Sequence, residues 1–381
     1  MMIVYYYIVI SVYIATMIVL IIGYHKVPLF QFFKSETKSS QTKFSVIIPF
    51  RNEAENLPAL LNSIINLNYP ISSFELLFVD DDSEDKSVRV IEDFFKTNQN
   101  LKIDFQTLNN NRISKSPKKD AITTAIISSK HSWIITTDAD CILPLNWLRT
   151  FDLFIQKNSP NMVVGPVCYI SENSCVNSYQ QFDNFSLQAT TIGAFGLQNP
   201  LLSNGANLAY KKEVFIQVNG FSGNDHVASG DDIFLLEKFI KKDLAKVQFV
   251  KSLEVLVKTK AETSWRDIIE QRIRWASKTS KQKNRASIGL GVLVFITNLM
   301  IILLFILSFI QPFYFFHFVI IFALKLIIDG FIMNRHTRSF SLKFNGWSFY
   351  LCEIIYPFIT IIVVLGSLFG TYTWKNRTFK K

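Results

Sequence analysis

Asp138 and Asp140 stand one residue apart at the end of an apolar run, Trp133 to Thr137. Two carboxylates at the carboxyl edge of a buried strand can hold a divalent cation through hard oxygen ligands, and that edge is where open α/β sheets bind ligands. Acid-any-acid triplets are common, so the weight comes from company. Asp80-Asp81-Asp82 ends an earlier apolar run, and Asp231-Asp232 opens a later helix. Three adjacent carboxylates repel one another unless solvent, hydrogen bonds or a cation oppose them. A helix cap would employ Asp82 or Ser83 but not all three. A strand-end carboxylate can also accept a hydrogen bond from a nucleobase imide, and Asp81, with Asp80 beside it, is the candidate on the donor side.

Lys118 and Lys119 enter a helix between two of these acidic strand ends, where an ammonium can neutralise phosphate or hold the carboxylates. A diphosphate leaving group gathers negative charge that Mg²⁺ or Mn²⁺ offsets, which suits Asp140 as metal ligand with Asp138 at the metal and diphosphate. Either Asp231 or Asp232 could merely cap its helix. The other can act as a general base on an acceptor hydroxyl, with Asp232 favoured and Asp231 supporting it. Gln271, Arg274 and Trp275 fall at i, i+3 and i+4 and so share a helix face. There a guanidinium can bind a diphosphate and an indole can present a flat surface to a sugar or lipid head group. The bland alternative is a basic-aromatic helix at a membrane surface.

The elements that must position these groups alternate in kind. Phe44 to Phe50 is a continuous apolar run, as a doubly covered parallel strand should be. Leu57, Leu60, Leu61, Ile64 and Ile65 then share a helical face, with Asn52 and Glu55 expected to cap it. Strand Phe74 to Val79, helix Glu84 to Lys96, strand Ile103 to Leu108, helix Lys118 to Ser128 and strand Trp133 to Thr137 follow. This alternation predicts an α/β fold with a doubly wound, mostly parallel sheet. Beyond Asp140 the rhythm loosens into a helix near Leu145 to Gln156, a strand near Met162 to Tyr169, and a Phe- and Gln-rich stretch through Leu197 expected on the acceptor side. A turn at Asn204 to Asn207 and helices at Tyr210 to Val218, Gly230 to Lys242 and Ser264 to Lys283 complete the block.

Hydrophobic residues make up 49% of the 381, and their excess is concentrated at the two ends. Ile3 to Gly23, Ile288 to Ile310, Pro312 to Met333 and Trp347 to Gly370 are each long enough to cross a bilayer. The first lacks a basic leader and a cleavage site and reads as an anchor. Basic residues after it predict a cytoplasmic block and an outward N-terminus, in a plasma or inner membrane. Lys325 and Asp329, at i,i+4 inside the third segment, must pair or face protein. The formal net charge of +10 comes without a zinc-knuckle or recognition-helix pattern, which argues against nucleic acid. Crowding of basic residues from Arg266 to Arg285 suits an anionic membrane surface and a nucleotide diphosphate instead. Cys141, Cys168, Cys175 and Cys352 lack metal-ligand spacing and are expected as free thiols.

Taken in order, Ile47-Ile48-Pro49-Phe50-Arg51-Asn52-Glu53, Val79 to Ser83, Asp138-Ala139-Asp140, Asn204 to Asn207, Gly230-Asp231-Asp232 and Gln271 to Trp275 resemble membrane-bound glycosyltransferase family 2. The resemblance covers about 44–283 and implies a GT-A domain there, set between the transmembrane anchor at 1–25 and the transmembrane or interfacial helices at 288–370 read from the apolar runs, with a basic tail at 371–381. It implies inverting, metal-dependent transfer from a nucleotide-sugar donor to a lipid-linked or glycan acceptor. By the same resemblance Asp81 serves the nucleobase, Asp140 and Asp138 the metal and diphosphate, Asp232 acts as base, and Gln271, Arg274 and Trp275 serve the diphosphate and acceptor. The family often has Gly where Asp82 stands and Glu where Asp231 stands. A processive polysaccharide synthase carries the last motif as well. Nucleotidyl or phosphoryl transfer on a membrane lipid would also want Asp-bound metal and lysines, but gives the Gln-Arg-Trp face no purpose.

Overall fold

The structure is a computed structural model that describes residues 2–31, 41–170, 172, 174–224, 230–279, 284–368, 371–374 and 377–380. Lys281, Lys283, Lys375 and Lys381, part of the basic runs above, lie outside the described residues. The chain divides into two compact units. One comprises Pro28–Ile170 and Leu202–Lys260, the other Met1–Val27, Ser171–Leu201 and Ala261–Lys381. Residues 171–201 and 261–283 of the sequence-predicted block therefore group with the apolar helices.

The first unit is built on a seven-stranded sheet of order β3-β2-β1-β4-β8-β6-β9. β1 (Phe44–Phe50) pairs in parallel with β2 (Phe74–Asp80) and β4 (Trp133–Thr136), and β3 (Asp104–Asn109) extends β2 in parallel. β8 (Leu208–Lys211) runs antiparallel to β4 and to β6 (Met162–Val164), which pairs in parallel with β9 (Val247–Phe249). In register, Phe50 faces Asp80 and Asp80 faces Asn109, so three strands finish together at the carboxyl edge. α2 (Leu57–Ile65) buries Leu57, Leu60, Leu61 and Ile64 in the core shared with Val46, Ile48 and Phe78. β1 and β2 are apolar but for Ser45, Glu75 and the strand-end Asp80 because helices cover them, which is what the continuous runs required, while the edge strand β3 is only half-buried and mixes Gln106 and Thr107 among its apolar residues.

Around this sheet lie α3 (Ser87–Thr97), α4 (Pro117–Ser128), α5 (Trp147–Asn158), α7 (Lys212–Gln217) and α8 (Asp231–Asp243). A small sheet joins β5 (Cys141–Ile142), β10 (Val257–Thr259) and β7 (Val167–Tyr169). The strand expected over Met162 to Tyr169 is thus two strands in separate sheets. Pro166 has no amide to give a ladder, and Gly165 lies where a Cβ would come within 2.3 Å of the Asn207 amide. Asn52 does not cap α2: Asn56 occupies that position without a side-chain cap bond. Asn52 instead adopts φ 52°, accepts from the Glu84 amide at 2.8 Å and so ties two loops together.

The second unit contains α1 (Met2–Lys26), α6 (Cys175–Gly196), α9 (Trp265–Thr279), α10 (Arg285–Ser308), α11 (Pro312–Ser339) and α12 (Gly346–Leu368), with a hairpin of β11 (Thr371–Trp374) and β12 (Arg377–Lys380). Four of these helices, α1, α10, α11 and α12, are long and apolar enough to cross a membrane. The Phe- and Gln-rich stretch is α6, started by Ser174, whose hydroxyl accepts from the Asn177 amide at 3.0 Å. α6 lies close against α1: a Cβ on Gly23 would sit 2.1 Å from the Gly193 carbonyl oxygen, and one on Gly196 would be 1.8 Å from that of Gly23. Lys325 satisfies its charge inside the apolar helices, with Nζ 2.6 Å from both Asp329 and Glu353. Tyr13 donates to the same Asp329 at 2.7 Å.

Candidate active site

Two arginines hold the acidic end of β2. Arg51, only 8% exposed, donates from Nη1 to the Asp81 carbonyl at 2.8 Å and to that of Asp82, and from Nη2 to Glu84 at 2.8 Å. Arg112 donates from Nε to Asp81 Oδ1 at 2.6 Å and from Nη2 to the Asp81 carbonyl at 2.8 Å. Asn110 adds a 2.7 Å bond to the same Asp81 oxygen. The three neighbouring carboxylates are therefore tolerated by cations and a tight turn, in which Asp80 accepts from the Ser83 amide at 3.0 Å. Asp82 takes φ 62°, the left-handed region that favours glycine. Neither Asp82 nor Ser83 caps α3, whose N-cap is Lys86.

Lys118, in the first turn of α4, links the other two clusters. Its ammonium donates to Asp138 at 2.6 Å and lies 3.5 Å from Asp231. Burial pulls this ammonium toward neutrality, but Asp138, Asp231 and Asp232 more than reverse the effect and hold it protonated. Of the two roles open to it from sequence, Lys118 here holds the carboxylates. Lys119 turns elsewhere, donating to the Asn224 carbonyl at 2.6 Å and lying 4.9 Å from the centre of the Phe234 ring. Gly205 permits the approach: a Cβ there would meet Asp231 Oδ2 at 2.8 Å and Lys118 Nζ at 3.4 Å. The turn carrying it is fixed by Thr136, which donates to the Gly205 carbonyl at 2.6 Å. Asn207, fully buried, accepts from the Trp147 indole at 2.9 Å and donates to Pro166 and Val255.

Asp140 accepts from the Thr259 hydroxyl of β10 at 3.2 Å. Burial, then Asp140 and Asp138, push the adjacent Cys141 thiol well above its ordinary range, so it stays protonated. α8 begins at Gly230, with φ 88°, and no side chain caps it, so Asp231 and Asp232 are both first-turn residues. Asp231 is buried and Asp232 half-buried. Among the described residues no three His, Cys, Asp or Glu side chains form a ready metal cage. The donor set still fits Mg²⁺ or Mn²⁺, which commonly take one or two carboxylates and complete their shell with water and substrate phosphate. The ammonium of Lys118 on Asp138 and Asp231 marks where these carboxylates call for positive charge.

Gln271, Arg274 and Trp275 are half-buried on α9, in the second unit. Arg272, between them, pairs with Asp183 of α6 at 2.6 Å, donates to Gln271 at 2.6 Å and lies 4.2 Å from the Trp275 ring centre. Gln271 also donates to Glu262 at 2.9 Å. The geometry thus adds Arg51, Asn110, Arg112, Thr259, Asp183 and Arg272 to the residues found by sequence. Arg112 had a legible signal as a cation in the loop between two acidic strand ends. Arg272 stood inside the Gln271 to Trp275 motif, but nothing in the sequence pointed to its partner Asp183, because a lone ion pair between distant helices leaves no spacing pattern.

Residues 45–219 match the family described as Glycosyl transferase family 2, and residues 133–328 match Glycosyl transferase family group 2. The second match spans more than half of the chain, which belongs to the family 2 glycosyltransferases of GT-A type. Among curated proteins it is 27% identical over 191 residues to Glycosyltransferase AglE of Haloferax volcanii, covering 50% of this chain and 58% of that one. It is also 27% identical over 123 residues to the Poly(ribitol-phosphate) beta-glucosyltransferase of Bacillus spizizenii, covering 32% of this chain and 19% of that one. The chain thus spans a little over half of the first relative and about a fifth of the second. Among solved structures, the mannosyltransferase PcManGT from Pyrobaculum calidifontis, in complex with GDP-Man and Mn²⁺, matches with a TM-score of 0.57 at 15% identity over 95% of each chain. That likeness establishes the shared fold.

Proposed function

We propose that this protein moves a sugar from a nucleotide-sugar donor to a lipid-linked or other membrane-proximal acceptor, with inversion at the anomeric carbon, at the cytoplasmic face. The observation that carries the reading is the convergence of Asp138 and Asp231 on Lys118 at the carboxyl edge of a parallel sheet, near the turn of Gly205. Asp81, oriented by Arg112 and Asn110 and flanked by Asp80, is assigned to the nucleobase. Asp140 and Asp138 would hold Mg²⁺ or Mn²⁺, which when bound offsets charge on the diphosphate. The Mn²⁺ in PcManGT gives this assignment a precedent in the same fold.

Asp232 takes the proton from the attacking hydroxyl, and Asp231 keeps the local charge arranged through Lys118. Gln271, Arg274 and Trp275 are assigned to the diphosphate and acceptor. The Arg272–Asp183 pair holds Gln271 and Trp275 in place. We favour transfer of one sugar to a lipid over polymer extrusion, because four candidate spans make a small membrane part. Screening nucleotide-sugar donors against membranes holding the full chain tests this. Metal-dependent transfer, abolished in Asp140→Ala, is expected, and a product of one added sugar. Transfer that persists in chelator, or a polymeric product, would overturn the corresponding part.

A further inference from the structure

We propose that the rim of the cavity between the ends of α1 and α11 binds the phosphate of an anionic membrane lipid, whose ester region enters the cavity. The cavity measures about 220 Å³ and is lined by His25, Phe331, Asn334, Arg335 and Arg338, all within the unit of apolar helices. A volume this size lies below the roughly 300–1,000 Å³ of ordinary small-molecule pockets. It takes the ester region of a lipid, not a nucleotide sugar. Its wall is mainly apolar, as that region requires, and the exposed side chains of Arg335 and Arg338 stand at its rim. Guanidinium forks match phosphate oxygens, and the Arg335 Nη2 lies 3.4 Å from the His25 ring.

Among the described residues neither Arg335 nor Arg338 has an ion-pair partner. Part of this positive charge balances the carbonyl ends of two helices, since His25 and Arg338 lie in last turns. Each helix end carries only about half a negative charge, which two guanidiniums exceed. Basic pockets between the ends of membrane helices are where acidic head groups are held.

The helix face below the cavity supplies the lipid's other half. Ile327, Phe331 and Arg335 follow at i,i+4 steps along α11. Ile327 and Phe331 are 67% and 56% exposed, an apolar track one acyl chain wide that ends at a guanidinium. A free anion would have no use for that track, which is why the site is assigned to a lipid.

The test is lipid retention by the full chain, extracted from vesicles of phosphatidylcholine and phosphatidylglycerol and weighed by native mass spectrometry. Wild-type protein should keep phosphatidylglycerol over phosphatidylcholine. The Arg335→Gln/Arg338→Gln variant should lose about tenfold of that preference. Both side chains are exposed, so folding should survive, and a melting curve checks it. Phe331→Ser, which keeps every charge, should also weaken retention, whereas a diffuse positive surface would not respond to it. Equal retention of the two lipids, or retention unchanged in either variant, overturns the proposal. So does stabilisation of protein in pure phosphatidylcholine by millimolar inorganic phosphate to the level given by phosphatidylglycerol, which would assign the cavity to a soluble anion.

Discussion

Replacing Lys325 by Met should be among the most damaging single changes in the apolar helices. Lys325 is 1% exposed, and Asp329 and Glu353 are 5% and 3% exposed. Its ammonium is 2.6 Å from each carboxylate and 5.2 Å from the centre of the Tyr356 ring. Met fills most of the space but leaves two carboxylates facing each other in apolar surroundings. Whether they remain charged or one takes up a proton, either route costs free energy. Breaking a buried pair in this way costs about 3–5 kcal/mol. At about 2–4 °C per kcal/mol for a unit of this size, the melting temperature should fall by roughly 6–20 °C.

Cys352, buried beside Glu353 on α12, provides the readout once the exposed Cys175 and the buried Cys141 and Cys168 are replaced by Ser, because a thiol-reactive fluorophore then reaches its one target only as the helices separate. The triple variant Lys325→Met/Asp329→Leu/Glu353→Leu, made in a Tyr13→Phe background because that hydroxyl donates to Asp329, removes every charge at once. It should melt near the wild-type temperature or above it, since an apolar replacement of a whole buried cluster is often neutral or stabilising. A single variant that melts within about 2 °C of wild type, or a triple variant as unstable as the single, would refute the reasoning.

Asp232→Asn should lower single-turnover transfer by about 10²–10⁴-fold while leaving nucleoside diphosphate binding near wild type; an unaffected rate would move the base elsewhere. Arg112→Ala frees Asp81 from two hydrogen bonds and should raise the donor KM about tenfold with a smaller effect on kcat, measured with the preferred nucleotide sugar. Burial pushes the Cys168 thiol from its ordinary 9.0 up to about 11, against a smaller opposing effect of Lys258. The folded chain therefore resists losing this proton more than the unfolded chain does. That contribution is complete below pH 9.0 and is lost as pH rises through about 11. Relative to Cys168→Ala, the wild type should lose roughly 2 kcal/mol over that range, read from denaturant midpoints.

The parallel strands were legible in the sequence because a strand covered on both faces must be apolar throughout, and β1 and α2 fall where the pattern placed them. The Gly165-Pro166 break was harder to see, since alternative readings of eight apolar residues differ only in one missing amide. Capping at Asn52 is not legible in sequence, because loop side chains answer to distant loops, here that of Glu84, as readily as to the next helix. The acidic clusters could be found by their adjacency to strand ends. Their partners could not: Arg51 with Asp82, Arg112 with Asp81 and Arg272 with Asp183 meet only once the chain has folded. The i,i+4 spacing of Lys325 and Asp329 requires them to pair or face protein, whereas Glu353, on another helix, gives no such signal.

The glycine contact between α1 and α6 also bears on the timing of assembly. Gly23 leaves the ribosome long before Gly193, and at about 5–20 residues per second the first helix waits on the order of ten seconds or more for its partner. During that interval its notch is open to any other close-packing helix. Because the Cβ contacts leave no room for a side chain at Gly23, Gly193 or Gly196, an intruding helix could fill the notch only if it too carried glycine at matching positions. Steric exclusion thus keeps the place until the chain's own α6 arrives.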